Sequence, residues 1–233
     1  DWLPRGSLRR IVAGNTLSQL IGRIISSIAV VVVSLLIAKR YGPEGYGDFV
    51  KITTYVSFFY LIADFGLNAV YLQRTANDEK ISTPSVGNHW RLLLGLRLAM
   101  SFVLVLVALI ILSLLPPGLS QGYTALVRLG IVILIPVIFA QAVTTTTNAF
   151  FQKILRYDLS TVAQNAGSFA MLVVAVSLSY WTSISGSFLG VISVISGSVV
   201  TALLALKLVR GHLGSILPKI SSSAFVSYLR DGT

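Results

Sequence analysis

The sequence predicts an all-α membrane protein, built as a bundle of six transmembrane helices. Hydrophobic residues make up 55% of the chain and charged residues only 11%, whereas soluble domains carry roughly 25% charged residues. Six stretches of the sequence are also long and apolar enough to supply the about 20 residues that a helix needs to cross a bilayer. A core of this size could not hide so much apolar surface, so the surplus must face lipid.

Turn-forming residues separate most of the predicted helices. Gly42 and Pro43 end the first helix, because glycine and proline stop helices. Pro116 and Pro117 close the third, and Pro136 predicts a kink within the fourth. The six spans cover about residues 15–38, 46–72, 90–115, 125–150, 159–181 and 187–208, so that residues 1–210 form one lobe and residues 211–233 a cytoplasmic connector or amphipathic segment.

The net charge of +10 predicts membrane orientation and not binding to nucleic acid. Lys and Arg are scattered between apolar stretches, without the basic face that nucleic-acid binding requires. Cytoplasmic loops retain Lys and Arg, and most of them, with Arg91 and Arg97 counted there, fall on the side of both termini. Only Lys39, Arg40 and Arg128 fall on the other side. Both termini are therefore predicted to be cytoplasmic.

The two ends of the chain suggest a piece of a longer protein. The sequence opens with Asp1 instead of Met, and its final segment stops within what resembles an interfacial helix. The first apolar stretch is too long for a signal peptide and no small-residue cleavage site follows it. We therefore expect a truncated chain.

The first predicted helix carries a polar stripe. Asn15, Gln19 and Arg23 recur every four residues and continue to Ser26 or Ser27, so these side chains share one helical face. Ionisable groups within a span usually face the bundle interior or a wet cavity. We expect Arg23 to line a cavity and to attract an anionic group of a substrate. The alternative is that Arg23 extends to the membrane interface or pairs with a backbone carbonyl.

The second predicted helix carries Lys51 and Asp64. They are separated by roughly 20 Å along a helix axis, which is too far for a direct ion pair. Lys51 is equally well explained as a cavity-lining cation or as an interfacial anchor. For Asp64 we favour a structural role, in which its carboxylate caps the helix end or pairs locally with Arg74 or another basic group.

Two further helices carry polar side chains on one face. The fourth holds a single stripe of Gln141, Thr144, Thr145 and Asn148. The fifth holds Gln164, Asn165 and Ser168. Such residues also serve as ordinary contacts between transmembrane helices. Together with the first helix they predict a polar interior wide enough for a hydrated headgroup.

No catalytic constellation is evident in the sequence. His89 and His212 are predicted to lie in solvated loops, without metal-site spacing or a triad. The absence of cysteine excludes disulfides and thiolate catalysis. The glycines between Gly42 and Gly47 are explained by a turn and not by a phosphate-binding loop. We expect no enzyme activity, no cofactor and no metal. Without ATPase machinery, any transport must be driven by a gradient or by the substrate's own disequilibrium.

Two motifs resemble a known family. The run from Ala38 to Gly47, followed by the run from Ala63 to Asn68, resembles the first hairpin of Wzx-type polysaccharide (O-antigen) flippases. In that family an Ala-Arg-x-Leu-Gly-Pro-x-x-Tyr-Gly turn joins the first two helices. Lys39 stands here where Arg is commoner and Tyr41 where Leu is commoner. Asn15 and the basic loop at residues 151–156 also resemble the family.

The resemblance implies the first lobe of a two-lobed transporter related to the MATE proteins, which work by alternating access. Members of this family move undecaprenyl-pyrophosphate-linked glycans across the cytoplasmic (inner) membrane, and cationic cavity residues receive the pyrophosphate. Carried onto this chain by charge, Arg23 and Lys51 are the candidates for that role. The implied partners are the lipid-linked glycan, membrane lipid and a coupling ion, H+ or Na+. The full set of candidate substrate-binding residues is Asn15, Gln19, Arg23, Lys51, Asp64, Gln141 and Asn148.

Three alternatives stay open. A MATE-like, cation-coupled exporter of small cationic molecules would be expected to carry buried acids in its pathway. A membrane-embedded enzyme would be expected to place acidic or histidine clusters at a membrane face. An assembly subunit without transport activity would need neither feature.

Overall fold

A computed structural model describes residues 8–63, 66–77, 83–118, 122–181 and 184–219. Within these ranges the chain is almost entirely helical and contains no β-strand, as the sequence predicts. The helices are α1 (Leu8–Ala63), α2 (Leu67–Asn77), α3 (Thr83–Leu114), α4 (Ala125–Leu134), α5 (Val137–Lys153), α6 (Tyr157–Trp181) and α7 (Gly186–Leu213).

Five helical stretches of the described residues are long and apolar enough to cross a membrane. Their outer surfaces are apolar: Leu35 is 62% exposed, Leu61 67% and Leu203 62%, which suits lipid and not water. The stretches are Thr16–Thr75, Val86–Leu114, Ala125–Lys153, Tyr157–Tyr180 and Gly186–Leu213. The first of them combines the two spans that the sequence separates at Gly42 and Pro43.

The long helix α1 bends sharply at Gly42. Gly42 has φ 70° and ψ −172°, a conformation that glycine adopts without the steric cost of a side chain. Ile37 and Phe49 lie on opposite sides of the bend and would be roughly 18 Å apart along a straight helix. Both nevertheless lie against Gly190 of α7. Residues 8–41 (α1a) and 43–63 (α1b) therefore fold back on each other.

Two other predicted spans are also interrupted. The second ends at Ala63, and α2 begins at Leu67 after Gly66, whose φ is 67°, so the predicted continuous span at residues 46–72 is divided. The predicted kink at Pro136 is confirmed, because it separates α4 from α5. A proline ring removes a helix hydrogen bond and clashes with the preceding turn, which explains this break.

The helices pack around three apolar clusters. One joins α2, α3, α5 and α7 around Trp90 and Phe150, and a second joins α1b, α3, α4 and α7 around Ile131. The third joins α1a, α6 and α7 around Val33 and Ala175. Contacts such as Ile52 with Gly130 bring α1b beside α4, so each apolar face is covered by a neighbouring helix.

One end of the bundle, here named the basic end, gathers Arg91, Lys153 and Lys219. The Lys153 Nζ donates a hydrogen bond to the Thr75 carbonyl at 2.6 Å. The rings of Phe150 and His212 lie 6.1 Å apart, so α5 and α7 meet at this same end. The basic residues that are distant in sequence are therefore neighbours in space.

After α7 the chain crosses α3 as an extended segment, residues 214–219, here named the strap. The Arg91 Nε donates to the Leu217 carbonyl at 2.7 Å, and the Lys219 amide donates to the Arg91 carbonyl at 3.0 Å. A Cβ on Gly95 would lie only 2.8 Å from the Lys219 carbonyl carbon. The strap can dock because Gly95 has no side chain. The rest of the predicted connector, residues 220–233, lies outside the described residues.

Replacement of Gly95 by alanine is expected to release the strap while leaving α3 helical, because alanine is the better helix former. Loss of hydrogen bonds worth about 1 kcal/mol each should speed amide hydrogen exchange across residues 214–219 by about tenfold, measured by mass spectrometry. Gly47→Ala is the matched control, since a Cβ there meets nothing within 4 Å. Equal exchange in the two variants would contradict the docking role of Gly95.

Candidate functional site

A polar cavity of about 240 Å³ lies between α1a, α5, α6 and α7. Its walls combine side-chain amides and hydroxyls with a few apolar groups, among them Val30, Met171 and Val194. None of the described residues that line it carries a charge. The polar side chains on its wall are Ser26, Gln141, Thr144, Asn148, Ser160, Gln164, Ser168, Ser198 and Thr201.

Helix α5 turns one polar face toward the cavity. Gln141, Thr144 and Asn148 follow one another at spacings of three and four residues, so they share that face. The Thr144 hydroxyl donates to the Ala140 carbonyl at 2.9 Å, which satisfies it within its own helix. The opposite face of α5 carries the buried Thr146 and Thr147. The helix thus separates the cavity from the apolar core.

Helices α1a and α6 pack closely against each other through small polar residues. The Ser168 hydroxyl donates to the Ser26 hydroxyl at 3.0 Å, and Ser26 donates to the Asn165 side-chain oxygen at 3.5 Å. Gly22 lies directly against Thr161, and small residues of this kind allow transmembrane helices to approach closely. Ser26 of the first predicted span therefore meets polar residues of the fourth and fifth predicted spans around one cavity.

Several amide groups on the wall retain hydrogen-bonding capacity. The Asn148 side-chain oxygen accepts from the Ser160 hydroxyl at 2.5 Å, which leaves its amino group available. The amides of Gln141 and Gln164 make no side-chain hydrogen bond to any other residue that the structure describes. Each amide offers two donors and an acceptor. The cavity can therefore bind a neutral ligand that both donates and accepts hydrogen bonds.

The candidate residues of the first span lie outside this wall. Arg23 is exposed and Gln19 is partly exposed, and neither lines the cavity. Arg23 lies three residues before Ser26, which places it about one turn from the cavity along the same face of α1a. No described residue forms a hydrogen bond or ion pair with Arg23. The side chain of Asn15, and Asp64 as a whole, lie outside what the structure describes.

Lys51 lies elsewhere, in a separate and mainly apolar groove of about 580 Å³ between α1b and α3. Tyr55, Phe58 and Tyr123 form part of its wall. The Lys51 ammonium pairs with the Asp48 carboxylate at 3.2 Å, and its side chain is 41% exposed. Lys51 therefore does not share the polar cavity with Gln141 and Asn148.

Arg97 is a buried cation, and the prediction that it belongs with the basic cytoplasmic loops is wrong. It lies within α3 and is 0% exposed. Its guanidinium donates to the Asn68 side-chain oxygen at 3.0 Å and to the Thr146 hydroxyl at 3.2 Å. The apolar residues around it, including Leu94 and Leu96, were the signal that it is buried. Arg97 thereby ties together α2, α3 and α5.

The prediction that the two histidines lie in loops is also wrong. His89 lies in α3 and His212 lies in α7. The His212 ring packs against Phe150, and its Nδ1 lies 2.8 Å from the Leu208 carbonyl oxygen. Among the described residues, no three His, Cys, Asp or Glu side chains are grouped so that they could hold a metal ion.

Thr146→Val is expected to destabilise the protein by about 1.5–3 kcal/mol, because it removes a neutral acceptor from a buried guanidinium. Thr147→Val is the matched control: this neighbour is equally buried, but its hydroxyl donates only to the Val143 carbonyl of its own helix. Thermal unfolding in detergent should show a distinctly lower Tm for Thr146→Val. Identical Tm values would show that the bond to Arg97 contributes little.

Comparison with known proteins identifies no relative. No protein-family description matches the chain, and neither the curated proteins nor the solved structures contain a significantly similar one. The resemblance to Wzx-type flippases therefore stays a prediction from the two motifs around Gly42 and Gly66.

Proposed function

We propose that this chain is the first lobe of a lipid-linked glycan flippase. It would act in the cytoplasmic (inner) membrane, moving an undecaprenyl-pyrophosphate-linked glycan by alternating access during polysaccharide biosynthesis. The observation that carries the proposal is the polar cavity among α1a, α5, α6 and α7, which lies between helices with apolar outer surfaces. Amides and hydroxyls at membrane depth are costly unless they find hydrogen-bond partners, so the polar lining favours a polar substrate.

The substrate's chemistry accounts for the need for such a cavity. A headgroup of sugars and phosphate cannot cross hydrocarbon bare, because its polar groups would lose their hydrogen bonds to water. Amides and hydroxyls such as those of Gln141, Asn148 and Ser168 can replace those bonds. The lipid tail needs no such replacement and can remain in the bilayer while the headgroup crosses.

The position of the cavity favours loading from the cytoplasm. Ser160 lies three residues after the start of α6, and Asn148 lies five residues before the end of α5, so the cavity extends toward the basic end. Positively charged ends of membrane proteins face the cytoplasm. With the bend at Gly42 counted as a reversal, the chain would cross the membrane six times and both termini would be cytoplasmic.

The two family-like motifs have clear structural roles that support the proposal. Gly42 of the first motif forms the bend in α1, and Gly66 of the second takes a φ of 67° between α1b and α2. These are conformations that favour glycine. A second lobe facing this one would complete the transport pathway, and rigid-body rocking of the two lobes would expose the cavity to each side in turn.

The cation-exporter alternative has less support. A pathway for small cations needs buried acids, and no carboxylate lies among the described residues that line the cavity. The same wall offers neither the acidic nor the histidine groups that a membrane-embedded enzyme would use.

The full-length protein, reconstituted into liposomes, should move a fluorescent lipid-linked glycan between leaflets, as measured with a membrane-impermeant quencher. Gln141→Leu and Asn148→Leu should each slow this transfer by up to about tenfold, since one lost hydrogen bond is worth about 0.5–1.5 kcal/mol. Gln73→Leu is the control, because Gln73 is an exposed amide on α2 away from the cavity. Unchanged transfer in both cavity variants would contradict the proposal.

Arg23→Gln should also slow the transfer, since the guanidinium is a two-pronged phosphate ligand. Lys207→Gln removes an equally exposed cation from α7 and should leave the rate close to that of the parent. If the two substitutions have the same effect, Arg23 contributes general charge only and is not part of the site.

A further inference from the structure

We infer that the polar cavity receives an uncharged sugar unit, while the pyrophosphate of the same lipid stays outside it beside Arg23. This inference rests on the proposed function and divides the headgroup between two places. It differs from the expectation that cations line the cavity itself, because the described wall has amides and hydroxyls but no cation.

The neutral wall favours an uncharged ligand over a charged one. A phosphate or a carboxylate that gave up water on entering this cavity would meet no opposite charge among the described lining residues, and a charge that loses water without gaining a partner is costly. A hydroxyl loses far less on burial, and that loss is recovered when it forms a hydrogen bond. The cavity therefore selects neutral, hydroxyl-rich groups.

The available amides suit the hydroxyl pattern of a sugar ring. The amides of Gln141 and Gln164 and the amino group of Asn148 are uncommitted toward the other described side chains. An amide presents a donor and an acceptor side by side, and neighbouring sugar hydroxyls can accept from one and donate to the other. Val30 and Met171 supply apolar contact for the carbon-bound hydrogens on the face of the ring.

The size of the cavity fits a single sugar unit. A volume of about 240 Å³ lies below the roughly 300–1,000 Å³ of typical pockets for drug-sized ligands. This space suits one ring and not an extended oligosaccharide. Further sugars of a longer glycan would have to remain outside this cavity.

Arg23 lies where the phosphate would be left. It is exposed on the face of α1a that carries Ser26, about one turn nearer the basic end. Its long side chain can reach the headgroup region, and its fork can bind two phosphate oxygens. When the sugar enters past Arg23, the pyrophosphate therefore stays beside the guanidinium and is not buried in the cavity.

Three probes test this division: a polyprenyl pyrophosphate carrying one N-acetylhexosamine, the same lipid carrying one hexuronic acid, and the same lipid without sugar. Binding is measured by fluorescence titration of the full-length protein in lipid nanodiscs. We expect the neutral glycolipid to bind at least tenfold more tightly than the hexuronic acid lipid. Gln141→Leu should weaken binding of the neutral glycolipid about tenfold and leave the sugar-free lipid unchanged. Arg23→Gln should weaken all three.

The controls separate loss of recognition from loss of folding. Gln141→Asn keeps the amide and should lose less affinity than Gln141→Leu, while the Gln73→Leu and Lys207→Gln variants should bind as the parent does. Equal binding of the neutral and hexuronic acid lipids, or equal effects of Gln141→Leu with and without sugar, would overturn the division and leave the flippase proposal standing. If the parent protein binds none of the three lipids, both the division and the proposed function are wrong.

Discussion

A membrane offers polar groups no hydrogen bonds from water, and this constraint organises the whole chain. The exposed positions of the long helices are largely Leu, Ile, Val and Phe, whereas several amides and hydroxyls, among them Gln141 and Asn148, line a cavity between helices. The helices therefore pack through both apolar clusters and small polar contacts such as Ser26 with Ser168. The amides that line the cavity lie between these helices.

The basic end shows how charge is accommodated in this arrangement. Lys153 and Arg91 bind backbone carbonyls of Thr75 and Leu217, so each cation ties together parts of the chain that are distant in sequence. Arg97 differs from these two cations because it is fully buried, and its guanidinium is hydrogen-bonded to Asn68 and Thr146. One face of α5 thus contacts a buried cation while its other face lines the cavity, which fixes the rotation of α5 about its axis.

The division of charge between the cavity and its surroundings bears on how a lipid-linked glycan would be handled. A cavity that held a phosphate tightly would also have to release it on the other side of the membrane, and the affinity would oppose release. A neutral wall with an exposed Arg23 nearby would hold the part of the ligand inside the cavity by hydrogen bonds alone, each worth about 1 kcal/mol. A lipid-linked glycan could then be bound and released without a large barrier.

The sequence alone determined the helical class with helices apolar enough to span a membrane, the break at Pro136 and the polar faces at Gln141 and Ser26, because composition and helical periodicity are local properties. The tertiary structure decided which of these faces share a cavity. It separated Lys51 from Gln141, placed Arg97 in the core instead of a loop, and docked the strap on Gly95. Each of these depends on which helices are neighbours, and that is set by packing between residues far apart in the chain.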